Sequence, residues 1–370
     1  NIYEIGGSVL KSVNLLIKPA SSLCQMDCRY CFYKDVANHR KEYEVKMMQR
    51  ETVDVLIEKA CSFAGENGFI TFGFQGGEPT LAGIEFFEYF CQKVINTKLS
   101  SQKIQYLIQT NALKLHQQWC DLFIRYKFLV GVSLDGYKEN HDSLRTIDNH
   151  ASFSLVMKSI NLLKKNKIDF NILTVLTNQL AKHPQKLYHL YKKQNFEYVQ
   201  FIPCLNDLNY LNQYALDSHL FSNFYKKLFK LWMKDYYSHK YIHITLFEDI
   251  LALLQKQPPM TCGFIGQCQP NFIIEANGSV YPCDFYALDE YQLGNIKELD
   301  FKEMSKNKLF SDFSRIENSI PSLCEKCKFS QICHGGCKRM RSVYIQENYC
   351  GYQDLLEDLL PEFYKLLYNH

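Results

Sequence analysis

The sequence predicts an α/β protein built on a partial (β/α)6 barrel, followed by a smaller, cysteine-rich C-terminal domain. Three observations predict it. Six short β-branched or aromatic runs alternate with amphipathic segments between residue 13 and about 240; six such units fall short of eight; and eight of the 15 cysteines lie beyond residue 260. Alternation of this kind yields a parallel sheet, because parallel neighbours need crossover helices between them. Eight units would close a barrel, and six leave it open. Functional groups are then expected just past the carboxyl end of each strand.

Strands are predicted at 13–17, 69–74, 104–109, 128–134, 170–176 and 198–202. Helices are predicted near 51–64, 81–97, 116–126, 151–166 and 184–194. In the fourth, Phe153, Val156, Ile160 and Leu163 recur at three- and four-residue steps, the stripe of a helix with one buried face. A helical stretch over about 216–256 follows the sixth strand, and Pro258 with Pro259 breaks it. Residues 272–275 and 279–281 then flank Asn277-Gly278, a dipeptide that favours a tight hairpin because both positions tolerate positive φ. A terminal helix is expected near 352–368. These elements divide the chain into a barrel over 10–240, a cysteine-rich domain over 257–350 and a C-terminal helix over 351–370.

Composition narrows the function class. Hydrophobic residues at 46% and charged residues at 22% are ordinary for a globular protein with a full core. A formal charge of +3 is too small to argue for nucleic acid as a partner. No apolar run approaches the roughly 18 residues that span a bilayer, and the amino terminus has no export pattern. A cytoplasmic protein without membrane or nucleic-acid partners is the expectation. In a reducing compartment clustered cysteines read as metal ligands or catalytic groups rather than disulfides.

The first cluster is Cys24-Gln25-Met26-Asp27-Cys28-Arg29-Tyr30-Cys31, a C-x3-C-x2-C run directly after the first strand. Three thiolates can hold three irons of a [4Fe–4S] cluster and leave the fourth iron open to a small molecule. A structural zinc site would want a fourth ligand, and the loop offers no further Cys or His. The second region carries Cys262-x5-Cys268-x14-Cys283 and then Cys324-x2-Cys327-x5-Cys333-x3-Cys337-x12-Cys350. Eight cysteines suffice for two fully ligated clusters, although Cys324, Cys327, Cys333 and Cys337 could equally form a zinc ribbon on spacing alone. Cys61, Cys91, Cys120 and Cys204 show no metal spacing and read as small buried hydrophobes. His334 beside Cys333 reads as a neighbour of the ligands, not a ligand.

C-x3-C-x2-C after a first strand resembles the signature of the radical S-adenosylmethionine superfamily. Gln75-Gly76-Gly77-Glu78-Pro79 after the second strand is similar to that superfamily's GGEP motif. The resemblance implies that S-adenosylmethionine chelates the open iron and that an electron cleaves its sulfonium to a 5′-deoxyadenosyl radical. It further implies cofactor contacts from Gly76, Gly77, Glu78, Ser133 and Arg145, with Tyr30 and Leu205 flanking the adenine. The cysteines of the second region resemble the SPASM extension of peptide-modifying radical enzymes. By that resemblance one auxiliary [4Fe–4S] cluster uses Cys262, Cys268, Cys283 and Cys337, the other Cys324, Cys327, Cys333 and Cys350, for three clusters in all.

A narrower resemblance follows. Tyr281-Pro282-Cys283-Asp284-Phe285-Tyr286, Leu16-Ile17-Lys18-Pro19-Ala20-Ser21-Ser22, Cys31-Phe32-Tyr33, Gln200-Phe201-Ile202 and Leu293-Gly294-Asn295-Ile296 closely resemble stretches of anaerobic sulfatase-maturating enzymes, across roughly residues 13–350. Those enzymes oxidise a Cys or Ser of a sulfatase to formylglycine. The resemblance gives Asp284 the role of proton acceptor, makes Tyr33 and Gln75 contacts of the substrate peptide, and implies a flavodoxin or ferredoxin as electron donor. Two positions depart from the family's habit: Ala112 stands where Gly usually follows Q-T-N, and Tyr137 where Pro commonly follows D-G. The rival reading is a superfamily member that crosslinks a ribosomal peptide through a thioether or C–C bond. Many of these use an added amino-terminal module, for which the 23 residues before Cys24 leave no room, so the sulfatase maturase is the expectation. A non-catalytic electron carrier or zinc module would not explain a set of only three cysteines.

Overall fold

The computed structural model describes residues 2–5, 8–41, 47–265, 267–269, 271–313 and 320–368. Six strands occupy the positions expected of them, with ends shifted by a few residues: β1 (Ser8–Ile17), β2 (Phe69–Phe74), β3 (Lys103–Thr110), β4 (Phe128–Ser133), β5 (Phe170–Leu176) and β6 (Tyr198–Pro203). Between them run α1 (Arg50–Ala64), α2 (Ile84–Thr97), α3 (Gln117–Tyr126), α4 (Phe153–Lys165) and α5 (Pro184–Lys193). The described residues form two compact units. One takes those of Asn1–Ser133, Arg145–Phe170 and Pro270–Phe313; the other takes those of Leu134–Leu144, Asn171–Gln269 and Ser314–His370.

In the first unit β4, β3, β2 and β1 are neighbours in a parallel sheet, with Val13 facing Ile70 and Ile70 facing Ile104. Strand β2 is buried on both faces, whereas β3 keeps Lys103 and Gln105 exposed before it, too, becomes mostly buried. Phe72 and Phe74 point into α2, where Phe87, Phe90, Cys91 and Val94 form one buried stripe. The Phe74 ring lies 4.9 Å from Phe87 and 5.0 Å from Phe90, both edge-on. Each buried phenyl contributes about 1.5–3 kcal/mol. This aromatic seam fixes the strands whose carboxyl ends carry the site.

The Asn277-Gly278 hairpin forms between β7 (Phe272–Ile274) and β8 (Ser279–Tyr281), with Gly278 at φ +94° and the Asn277 side chain accepting from the Ser279 amide. No pattern in the sequence predicts its partner. Strand β7 extends the parallel sheet beside β1, pairing Phe272 with Leu15 and Ile274 with Ile17, and β8 continues to β9 (Gly294–Asn295). Residues some 250 positions apart in the chain are thereby brought to one sheet edge. Chain that follows β1 and chain that follows β7 emerge side by side, and the antiparallel β8 runs back along β7.

The second unit pairs β5 with β6 in parallel, Ile172 facing Val199. The expected helix over 216–256 is two helices, α6 (Ser218–Tyr237) and α7 (Thr245–Leu254), divided by a short strand, His243–Ile244, that pairs with β6. The reason is local. Ile242 and Ile244 are buried while His243 is half-buried, a strand's alternation, and the Trp232 indole N–H is spent on the Ile242 carbonyl (2.9 Å). Helix α6 is capped by Asp217, whose carboxylate accepts from the Leu220 amide at 2.8 Å. It packs on the terminal helix α8 (Gly351–Tyr368), where Asp354 accepts from Ser222, Lys226 and Tyr349. Cys61, Cys91, Cys120 and Cys204 are all buried. Among the described residues no helix is long and apolar enough to cross a membrane.

Candidate active site

The cysteine loop begins where β1 ends, and the loop after β2 holds it. The amides of Gly77 and Glu78 donate to the carbonyls of Ser21 and Leu23 at 2.8 and 2.7 Å, so the two loops are laced backbone to backbone. That approach requires glycine. A Cβ on Gly77 would sit 2.0 Å from the Leu23 carbonyl oxygen, and Gly76 lies at φ +135° with Ser21 O 2.8 Å from where its Cβ would be. Gly77→Ala is therefore expected to destabilise the fold by at least about 1–3 kcal/mol, measurable by denaturant unfolding.

Glu78 is fully buried. It accepts from the Thr80 amide and hydroxyl (3.0 and 2.7 Å), the Thr110 hydroxyl (2.7 Å) and the Asn111 amide (2.7 Å). Burial raises its pKa, and these four donors oppose the rise. The side chain thus ties the loop after β2 to the loop after β3. Asn111 in turn aims its Nδ2 at Cys24 Sγ (3.6 Å), and the Met26 amide lies 3.4 Å from the same sulfur. Ala112 next to it is buried at φ +56°, a left-handed conformation that glycine takes without strain and alanine does not. The family's usual Gly there answers to that backbone. At the other departure, Tyr137 has the Lys186 ammonium 3.4 Å from its ring centre.

A short antiparallel pairing places Cys28 opposite Arg145. Arg145 is buried, donates to the Tyr30 hydroxyl at 3.1 Å and has the Met26 sulfur at 3.7 Å. Ser133, at the end of β4, accepts from the Gln109 amide at 2.9 Å. Leu205 is buried in the second unit, just past β6. Tyr30, Gly76, Gly77, Glu78, Ser133 and Arg145 all lie in the first unit.

Asp284 opens a one-turn 3-10 segment after β8. Its Oδ1 pairs with the ammonium of Lys18, and its Oδ2 accepts from Gln75 Nε2 at 3.2 Å. Lys18 follows β1, Gln75 follows β2 and Asp284 follows β8, so three carboxyl-end loops or turns converge on one carboxylate. The Lys18 side chain has no solvent exposure, and its Nζ stands 3.4 Å from the centre of the Tyr33 ring. Tyr33 is buried too, and its hydroxyl donates to Glu275 Oε1 (2.5 Å) while accepting from Arg40 Nη2 (3.1 Å). Glu275 also pairs with Arg40 at 3.0 Å and accepts from Ser21 at 3.2 Å. Burial, and then the Glu275 carboxylate, pushes the Tyr33 phenol well above its usual range. Burial pulls the Arg40 guanidinium the other way, but Tyr33 and Glu275 outweigh it and hold the charge in place. Each buried charge, Lys18 and Glu275, is thus matched by an opposite charge on a half-buried partner, Asp284 and Arg40, the pairing that buried charge requires.

Sequence reasoning named Asp284, Gln75 and Tyr33 but passed over Lys18, Arg40 and Glu275. Lys18 had a signal: a lysine ending an apolar strand, at the position where such a fold collects functional groups. Arg40 and Glu275 had none, because only the unforeseen pairing of β7 with β1 brings them together.

None of the remaining cysteines is in a disulfide. Cys283 lies in the first unit; the other seven of the second region lie in the second. There, Cys262 feels Cys337 and Cys268, and burial leads in pushing its thiol up to about 11. Cys333 likewise feels Cys350, Cys327 and Cys324, again with burial as the main reason for a value of about 11. Cys337 therefore keeps company with Cys262 and Cys268. His334 donates from Nδ1 to the Phe264 carbonyl at 2.8 Å. Among the described residues no three His, Cys, Asp or Glu side chains close around a single metal ion.

Comparison with known proteins agrees with this donor chemistry. The model of the Radical SAM superfamily matches residues 19–191, and that of the SPASM iron–sulfur cluster-binding domain matches 262–328. The chain is 40% identical to a cysteine-type anaerobic sulfatase-maturating enzyme of Clostridium novyi over 89% of each sequence. This chain belongs to the anaerobic sulfatase-maturating enzymes. A cysteine-type relative from Clostridium perfringens is 35% identical over 96% of this chain and 99% of its own. A solved structure described as native anSMEcpe with bound AdoMet and Cp18Cys peptide superposes with a TM-score of 0.88 at 33% identity, covering 97% of this chain and 99% of that one. The fold is accordingly the partial barrel with its SPASM extension, shared along nearly the whole length of this sulfatase-maturating enzyme.

Proposed function

We propose that this sulfatase-maturating enzyme oxidises a cysteine in an unfolded sulfatase segment to Cα-formylglycine, with Asp284 accepting the thiol proton. Kinship with two cysteine-type enzymes over 89% and 96% of the chain carries the reading and favours it over peptide crosslinking. S-adenosylmethionine, cleaved reductively on an iron–sulfur cluster, would supply the abstraction of one hydrogen atom from the substrate's β-carbon, an auxiliary cluster would take up the second electron, and water would release the sulfur of the resulting thioaldehyde as hydrogen sulfide.

The chain's own residues do the rest. Cys24, Cys28 and Cys31 would hold three irons of the first cluster; burial raises the pKa of Cys24, and the N–H groups of the Met26 amide and Asn111 oppose that rise. Arg145 is the carboxylate partner of S-adenosylmethionine, Ser133 serves its ribose or carboxylate, and Gly76, Gly77 and Glu78 shape the loop that meets its amino group. Tyr30 and Leu205 flank the adenine. Cys262, Cys268, Cys283 and Cys337 hold one auxiliary cluster; Cys324, Cys327, Cys333 and Cys350 hold the other. Gln75 orients Asp284 and meets the peptide. Tyr33 acts one step behind, because its hydroxyl is already engaged by Glu275. A flavodoxin or ferredoxin in the cytoplasm delivers the electron.

The test is anaerobic incubation of reconstituted enzyme with reductant, S-adenosylmethionine and either of two sulfatase peptides, identical but for Cys or Ser at the target. The cysteine peptide is expected to gain an aldehyde, and faster than the serine peptide by about tenfold or more. A crosslinked product without aldehyde would reject the reading.

A further inference from the structure

We infer that Lys18 is the positioning residue for the proton-accepting carboxylate: its buried ammonium pins Oδ1 of Asp284 and so presents Oδ2 to the reacting thiol of the peptide. The inference rests on the reading of Asp284 as the base.

Asp284 stands on a single short turn, which by itself fixes a carboxylate poorly. Among the described residues its partners are two. Gln75 gives one neutral hydrogen bond at 3.2 Å to Oδ2, whereas Lys18 gives a charge-assisted one to Oδ1. The charged bond is the stronger and sets the carboxylate's rotation. Lys18 is itself held on two sides. Its ammonium lies between the Asp284 carboxylate and the face of Tyr33, whose ring is anchored through its hydroxyl to Glu275 and Arg40. Glu275 is fastened in turn by Arg40 and Ser21. The chain of restraint runs from Arg40 and Glu275 through Tyr33 and Lys18 to Asp284, all inside one compact unit.

A lysine suits this task better than an arginine would. An ammonium is a compact point charge that can bond one oxygen and rest on a ring, while a guanidinium fork engages both oxygens of a carboxylate. Engaging both would occupy the oxygen the substrate needs. Oδ2, which among the described residues holds only the Gln75 amide, keeps a lone pair for the incoming proton.

The test is a double-mutant cycle on the reconstituted enzyme with Lys18→Met, Asp284→Asn and the pair, reading aldehyde, 5′-deoxyadenosine, binding of a labelled cysteine peptide by anisotropy, and thermal unfolding. Lys18→Met is expected to lower kcat for the aldehyde by about 10²-fold, the lower end of what a positioned base supplies. KM and peptide binding should change by less than about threefold, and aldehyde per 5′-deoxyadenosine should fall at least about tenfold. The pair should be no slower than Asp284→Asn alone, because Lys18 acts through Asp284. It should also melt above Asp284→Asn, which leaves the ammonium buried without its counter-charge.

Multiplying losses in the pair, additive losses in melting temperature, or an unchanged product ratio in Lys18→Met would overturn the inference. If instead Asp284→Asn forms aldehyde at the wild-type rate, the assignment of the base fails, and the role of Lys18 falls with it. Asp284→Asn inactive beside a fully active Lys18→Met would sink the positioning role alone.

Discussion

Replacing Cys24, Cys28 and Cys31 together by alanine is expected to remove both 5′-deoxyadenosine and aldehyde, each by more than about 10⁴-fold, since no other group in the chain supplies the radical chemistry. Iron should fall from about 12 to about 8 per chain, because the eight cysteines of the second region are untouched. The specificity of the loss matters more than its size. These three residues lie in a loop laced to Gly77 and Glu78 through backbone hydrogen bonds, so the fold has other means of holding it. Far-ultraviolet circular dichroism should accordingly stay unchanged while the activity disappears. Iron analysis after anoxic reconstitution, with chromatographic assay of both products, checks the prediction. A triple variant that still released 5′-deoxyadenosine would remove the basis for the site.

Asp284→Asn should separate the two products instead of abolishing both. Asparagine keeps the shape and a carbonyl oxygen for Gln75 but cannot accept the thiol proton. Aldehyde formation should then fall by about 10²–10⁴-fold, while 5′-deoxyadenosine continues to appear, because the groups around Cys24 and Arg145 are unaltered. The substitution also strands the ammonium of Lys18, whose side chain is wholly buried. Breaking such a pair from one side costs about 3–5 kcal/mol, so denaturant unfolding should register a clear loss of stability. Equal loss of both products would mean that Asp284 serves the cofactor and not the substrate.

The parallel sheet was legible because its strands carry β-branched and aromatic runs, and its helices carry stripes such as Phe87, Phe90, Cys91 and Val94. The cysteine sets were legible because ligation imposes spacing. Long-range pairing was not. Nothing local distinguishes a hairpin that stands alone from one whose first strand joins β1, and register between distant strands is a tertiary choice. That choice creates the network of Lys18, Tyr33, Arg40, Glu275 and Asp284, so Arg40 and Glu275 went unread, and Lys18 was given no role although it lies in a recognised stretch. The break between α6 and α7 was missed for a related reason. Trp232 and its neighbours read as continuous helix, and only the pairing of His243 with Tyr198 shows that the chain turns extended there. The glycines of the second loop were singled out for the approach of cofactor. The structure shows a nearer demand, the carbonyls of Ser21 and Leu23.

The most direct test of the account is transfer of label from the substrate. A sulfatase peptide carrying deuterium on the β-carbon of its target cysteine would be turned over with unlabelled S-adenosylmethionine under anoxic conditions, and the 5′-deoxyadenosine analysed by mass spectrometry. The account predicts deuterium in the 5′-deoxyadenosine, with an aldehyde in the peptide in matching amount. Unlabelled 5′-deoxyadenosine alongside a modified peptide, or label recovered only from a peptide deuterated at its α-carbon, would contradict it.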